Sequence, residues 1–84
     1  DRVAQALADR ARWGEVIAVC QSILVADDCW EGAYRLTMVA HAQMGNRTQA
    51  VRTYGQCVER LRAELGVPPS PATVAVYEQV RSRT

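Results

Sequence analysis

Four groups of side chains in this sequence are of types that could do chemistry. His41 is the single histidine and so the natural candidate for proton transfer. The cysteines Cys20, Cys29 and Cys57 could act as nucleophiles, metal ligands or disulfide partners. The adjacent acids Asp27 and Asp28 could hold a cation. Arg52, Arg60 and Arg62 could bind phosphate. None is arranged for its task. His41 falls among the inward positions of a helix, with no nucleophile or acid at a motif spacing. An odd number of cysteines without a CxxC pair fits neither a disulfide framework nor a zinc site, so free thiols are the reading. Cys20 and Cys57 fall on apolar stripes and read as inert core residues. Cys29 falls in a loop and is expected to be exposed and oxidisable. Two acids in a turn are too few ligands for calcium, and helix capping accounts for them. Glu59 and Glu64 interleave with the arginines, giving a solvated face with local ion pairs. No glycine-rich phosphate loop and no G-x-S-x-G elbow occurs. The chain is therefore expected not to be an enzyme and to need no cofactor or metal.

Composition narrows the remaining classes. Eighty-four residues make one domain at most. At 49% hydrophobic the chain can pack a core, built without phenylalanine. Ten basic residues, all arginine, nearly balance nine acidic ones, for a net charge of +1. A nucleic-acid surface needs a clustered basic excess, so direct nucleic-acid contact is not expected. No apolar run approaches the ~20 residues that span a bilayer. A signal peptide is not seen, and a cytoplasmic location is expected.

The apolar spacing then sets the elements. Val3, Ala4, Leu7 and Ala11 predict a helix from Asp1 to about Arg12, with Trp13-Gly14 as the break. Val16, Ile17, Cys20, Ile23 and Leu24 predict a second helix over about Glu15 to Ala26. Asp28 with Glu31 has the spacing of a capping box and opens a third, with Tyr34, Thr37, Met38 and His41 on one face. Gly45 ends it. Asn46 caps a fourth helix whose stripe is Ala50, Tyr54, Cys57, Val58, Leu61 and Leu65. Gly66 lies where a left-handed residue is wanted, and Val67 is positioned to fold back onto Leu61. Pro68 and Pro69 forbid continuation. Ser70 caps and Pro71 opens a fifth helix, with Thr73, Val76, Tyr77 and Val80 inward and fraying over Ser82 to Thr84. The expectation is an all-α antiparallel array of helix hairpins, an α-α superhelix of about five helices.

A shift of 34 residues aligns the chain with itself. Val16 falls on Ala50, Cys20 on Tyr54, Ile23 on Cys57, Leu24 on Val58, Ala4 on Met38, Leu7 on His41 and Ala11 on Gly45. Over residues 1–65 the chain resembles the tetratricopeptide repeat family, with Tyr34, Gly45, Ala50, Tyr54 and Cys57 at its aromatic, turn and small positions. The expected organisation is a single tetratricopeptide-like unit, 1–84, with repeats over about 1–30 and 31–65 and a capping helix over about 71–82. The same shift carries Met38 onto Ala72 and His41 onto Ala75, so the last helix reads as the start of a third repeat. Asp1 falls at the fifth position of a repeat, so the first helix is expected to lack its opening turn. The resemblance implies a groove on the side of the first, third and fifth helices. Gln5, Asp9, Arg35, Val39, Ala42 and Gln43 take the positions that line it. Trp13 and Trp30, at the hairpin bends, are read as packing residues, the alternative being anchors for another domain.

The stretch Glu64-Leu65-Gly66-Val67, then Pro69, Ser70, Thr73 and Tyr77, resembles the ending of the bacterial transcriptional activator domain. That domain occurs in SARP-type regulators and in larger ATPase-containing regulators, usually beside a winged-helix DNA-binding domain. The resemblance implies self-association and contacts with transcription proteins: the chain's own DNA-binding domain, a second regulator chain or the transcription machinery. The alternative is a generic tetratricopeptide adaptor of a signalling ATPase or cyclase. Leu61, Gly66, Val67, Ser70, Pro71 and Tyr77 then form a structural cap that ends one helix and docks the next.

Overall fold

Helix starts and stops in this chain follow from where backbone groups find partners. A computed structural model describes residues 2–82, and every regular element among them is α-helical. The helices are α1 (Arg2–Asp9), α2 (Trp13–Ala26), α3 (Glu31–Gln43), α4 (Arg47–Leu65) and α5 (Pro71–Ser82). The expectation for residues 83 and 84 lies outside the described residues.

The third and fourth helices obey local rules. Gly45 adopts φ 77°, a left-handed value that glycine takes without strain. The Asn46 N–H then donates to the His41 carbonyl at 2.8 Å, and the Gly45 N–H to Ala42 at 3.0 Å, the double bond of a Schellman ending. Asn46 Oδ1 accepts from the Gln49 N–H at 3.3 Å and opens α4. Gly66, at φ 65°, closes α4: its N–H reaches Arg62 at 3.0 Å, and the Val67 N–H lies 3.5 Å from the Leu61 carbonyl.

The first hairpin repeats that turn with the wrong residue. Arg12 N–H donates to Leu7 and Ala11 N–H to Ala8, both at 2.9 Å. This is the Gly45 turn moved by 34 residues, with Ala11 held at φ 56°. The break therefore falls at Arg10 to Arg12, not at Trp13-Gly14. Trp13 begins α2, and Gly14 sits in its first turn, where helix breaking costs least.

The Asp28–Glu31 capping box does not form. Trp30 is the N-cap of α3 and makes no side-chain cap bond. Asp27 accepts the Cys29 N–H at 3.1 Å instead, and Glu31 is drawn to α5.

Consecutive helices pack pairwise, and α3 touches all four others. Its faces divide the core. Ala33 and Ala40 meet Ala4, Val16 and Cys20. Tyr34 meets Cys57 and Leu61. Met38 meets Ala50 and Val80, with Tyr54 and Tyr77 alongside. Thr53, not foreseen as a core residue, is buried and returns its hydroxyl to the Gln49 carbonyl at 2.9 Å.

Three expectations fail at the ends of the array. Val3 is 59% exposed and Leu65 61% exposed. On α5 the buried residues are Thr73 and Val80, while Ala72 and Ala75 are exposed. At a shift of 34 those two positions fall on Val39, half-buried, and Asn46, exposed, so α5 does not repeat the burial of α3.

The two left-handed positions make opposite predictions. At Ala11, relief of about 1–2 kcal/mol of left-handed strain exceeds the ~0.4–1 kcal/mol entropic cost of glycine. Ala11→Gly is expected to stabilise the protein by roughly 0.5 kcal/mol or more. Gly66→Ala should destabilise it by a similar amount. Thermal unfolding followed by circular dichroism reads both, and equal melting temperatures for the two variants would reject the account.

Candidate protein-binding surface

Three sides of α3 are packed, and the fourth forms the floor of a channel between α1 and α5. A cavity of about 360 Å³ is lined by Gly32, Ala33, Arg35, Leu36 and Val39 of α3, Ala4 and Gln5 of α1, Ile23 of α2, Trp30, and Val76 of α5. A second depression, of about 140 Å³, continues it past Val39, Ala42, Gln43, Val76, Gln79 and Val80. The two share Val39 and Val76, so they form one path along α3. From Gly32 to Gln43 the helix rises about 17 Å.

The channel is apolar in the middle and polar at its edges. Leu36, Val39 and Val76 supply the apolar part; Gln5, Gln43 and Gln79 carry amides that both donate and accept. Arg35 is its one charged side chain among the described residues. Trp30, 47% exposed, stands at one end. Its indole fills the space above Gly32, where a Cβ would come within 3.1 Å of the ring nitrogen.

Arg35 is held in place by a polar cluster that also anchors α5. Arg35 Nη1 donates to Thr73 Oγ1 at 2.9 Å. The Thr73 hydroxyl donates to Glu31 Oε1 at 2.6 Å, and the Ser70 N–H donates to the same oxygen at 2.8 Å. Ser70 is the N-cap of α5 and its side chain lies 3.4 Å from the Thr73 N–H. In an ordinary capping box the third helical residue reaches back to the cap N–H. Here the third residue is Thr73, and Glu31 from α3 makes that bond across the interface. Burial pushes the Glu31 carboxyl up, but the bonds from Thr73 and Ser70 and the Arg35 charge outweigh it, and its pKa falls below the ordinary glutamate value. No buried side-chain nitrogen or oxygen among the described residues lacks a partner.

The rest of the α5 contact is aromatic. Tyr77 stacks on Tyr54 with centroids 3.9 Å apart and an interplanar angle of 11°. Arg81 lies 5.8 Å from the Tyr77 centroid and pairs with Glu78 at 2.6 Å.

Of the residues placed in the groove by sequence, Gln5, Arg35 and Val39 line the cavity, and Val39, Ala42 and Gln43 line its continuation. Asp9 lines neither and accepts a bond from Gln5 Nε2 at 3.0 Å. Of the cap residues, Gly66 and Val67 close α4, Ser70 and Pro71 open α5, Leu61 is buried against Tyr34, and Tyr77 carries the stack. Sequence reading missed Leu36, Val76 and Gln79 as lining residues. The helical spacing of Leu36 and Val39 was a usable signal. Glu31, assigned to a cap on its own helix, gave none.

The remaining polar residues do not assemble. His41 is half-buried, and burial lowers its pKa. Burial pushes the Cys57 thiol up to about 11 and raises that of Cys20, leaving little thiolate at neutral pH. Cys29 is half-buried rather than exposed; its sulfur sits 3.7 Å from Asp28 Oδ1 and 3.8 Å from the Arg60 carbonyl. Desolvation and the carboxylates of Asp28, Glu64 and Asp27 raise its pKa too. Arg62 pairs with Glu59 at 2.9 Å and Arg60 with Asp28 at 3.8 Å, so both sit beside acids. Among the described residues no group of three or more His, Cys, Asp or Glu side chains could hold a metal ion.

A family model described as bacterial transcriptional activator domain matches residues 1–81. Comparison with curated proteins and with solved structures gives no match.

The Glu31 cluster has a pH signature. A carboxyl whose pKa is lower in the folded state contributes stability above its ordinary value near 4.5, and that contribution is lost as pH falls through the folded value. Glu31→Gln keeps the shape and the acceptor oxygen but not the charge. It is expected to cost about 1 kcal/mol at neutral pH. As pH falls below the ordinary glutamate value the wild type should lose more stability than the variant, narrowing the gap. Urea unfolding at each pH measures this; a gap constant with pH would remove the charge from the account.

Proposed function

The chain belongs to the bacterial transcriptional activator domain family, and on that premise we propose that it is a non-catalytic interaction and self-association module of a transcription regulator. It positions a DNA-binding domain elsewhere in the same protein against partner proteins. On this reading residues 1–84 form a single tetratricopeptide-like unit, with repeats over about 1–30 and 31–65 and a capping helix over about 71–82. The partners are proteins: that DNA-binding domain, a second regulator chain, or the transcription machinery. The module acts in the cytoplasm. Among the described residues no helix is long and apolar enough to cross a membrane.

The channel along α3 carries this reading. At about 17 Å it matches roughly five residues of extended peptide. Leu36, Val39 and Val76 would take the apolar side chains of such a segment. Gln5, Gln43 and Gln79 would bond its backbone. Arg35 commits one donor to Thr73, and a guanidinium has five, so it would mark one acceptor in the ligand. Because Arg35 is preset by the Glu31 cluster, little side-chain entropy is lost when it binds. The Leu61 to Tyr77 segment closes the array and sets the α5 wall of the channel.

A fusion of this chain to a heterologous DNA-binding domain, with its operator upstream of a weak bacterial promoter, tests the reading. The fusion is expected to activate transcription. Val39→Glu, at a half-buried channel position, should lower activation about tenfold, the effect of ~1.4 kcal/mol in partner affinity, with helix content unchanged. A fusion that fails to activate, or activation indifferent to Val39→Glu, would count against it.

A further inference from the structure

We propose that Trp30, Gly32 and Arg35 form a carboxylate-binding corner at one end of the α3 channel, and that it takes an aspartate or glutamate side chain of the bound segment. The proposal rests on the reading of the channel as a protein-binding surface and names the group that one end of it recognises. All three residues line the cavity of about 360 Å³.

Gly32 brings two donors together. A Cβ placed on it would lie 3.1 Å from Trp30 Nε1 and 3.6 Å from Arg35 Nη2. The two nitrogens are therefore no farther apart than the sum of those distances. Both donate and neither can accept. Arg35 Nη1 is bonded to Thr73, which fixes the guanidinium and leaves Nη2 on the side of the indole. Among the described residues neither Trp30 Nε1 nor Arg35 Nη2 has an acceptor. Glycine permits the arrangement, because a side chain at position 32 would meet the indole.

Charge selects the ligand group. No acid lines the cavity among the described residues. The acids near Trp30 in the chain face other partners: Asp27 accepts the Cys29 N–H, Asp28 faces Arg60, and Glu31 Oε1 accepts from Ser70 and Thr73. Arg35 makes no ion pair among the described residues, and Glu31 reaches it through the Thr73 hydroxyl. A carbonyl has one oxygen and no charge. A carboxylate has an oxygen for each donor and the charge that shortens and strengthens both bonds. Trp30 is 47% exposed, so this end of the channel is open and a chain can run on past it; a side chain, not a chain terminus, is the source. Val39 lies about 6 Å beyond Arg35 along the helix axis, the rise of two residues of extended chain. The bound segment therefore carries its acid two places from an apolar residue, on the same face.

The test uses three short synthetic peptides with apolar residues at alternate positions. The first two have blocked ends and differ at one site, two places from a valine, where one has glutamate and the other glutamine. The third stops at that glutamine with a free C-terminal carboxylate. Binding to the 84-residue chain is followed by its amide and indole N–H chemical shifts. The glutamate peptide is expected to bind at least about tenfold more tightly than the blocked glutamine peptide, to move the Trp30 indole resonance, and to weaken with added salt. Arg35→Gln should bring those two peptides to equal affinity while both still shift Leu36 and Val39, with helix content unchanged. Trp30→Phe keeps a ring over Gly32 and removes the N–H; it should weaken the glutamate peptide about threefold and leave the blocked glutamine peptide unaffected. Equal affinity of the two blocked peptides for the unmodified chain, or an unmoved Trp30 indole, would overturn the corner and leave the channel standing. Tighter binding by the free-terminus peptide than by the glutamate peptide would overturn the assignment to a side chain. No shift along α3 with any of the three would overturn the channel reading and the corner together.

Discussion

A chain of this length buries little surface, and one helix has to do most of the burying. α3 is in contact with every other helix, and its residue sizes follow from that. Ala33 and Ala40 are small where α1 and α2 approach. Tyr34 is large where α4 stands off, and its hydroxyl is satisfied by the Asp28 carbonyl at 2.7 Å. Met38, flexible and unbranched, fills the irregular gap between α4 and α5. A helix packed on three sides leaves one open, and that open side is the channel floor. The channel is thus a consequence of how the core is divided.

The same constraint explains why a polar cluster matters in so small a protein. Hydrophobic burial alone leaves a domain of this size marginal. α5 is joined through a proline-rich linker and meets the array by a short aromatic and aliphatic contact. Glu31 adds direction to that contact: one carboxylate oxygen fixes the cap of α5 and, through Thr73, the guanidinium of Arg35. Helix docking and presentation of the channel's only charge therefore depend on the same group. A hydrophobic contact of equal strength would hold α5 but would not orient Arg35.

The family signature and the channel lining are different residues. Gly66, Ser70, Pro71 and Tyr77 end one helix, start another and hold it by stacking; none lines the channel. They set the α5 wall of the channel. The channel lining comes instead from residues such as Arg35, Val39 and Gln43 on α3.

Helix number, order and most ends were legible in the sequence because they are local. Asn46, Gly45 and Gly66 act on backbone groups within five residues of themselves, and apolar spacing shows which side chains share a face. The turn at Ala11 was also visible as a repeat of Gly45, although its residue type pointed elsewhere. Of the six residues that the tetratricopeptide resemblance assigned to a groove, all but Asp9 line the channel. What spacing cannot show is whether a neighbour covers a face. Val3 and Leu65 lie on apolar stripes and are exposed, whereas Thr53 lies on none and is buried. Glu31 had the right spacing for a cap on its own helix and serves one reached from 39 residues away. By itself the sequence determined five helices and their faces, since those depend on interactions within a few residues. Only the tertiary structure decided which faces meet, because burial and long-range hydrogen bonds exist only once two helices have been brought together.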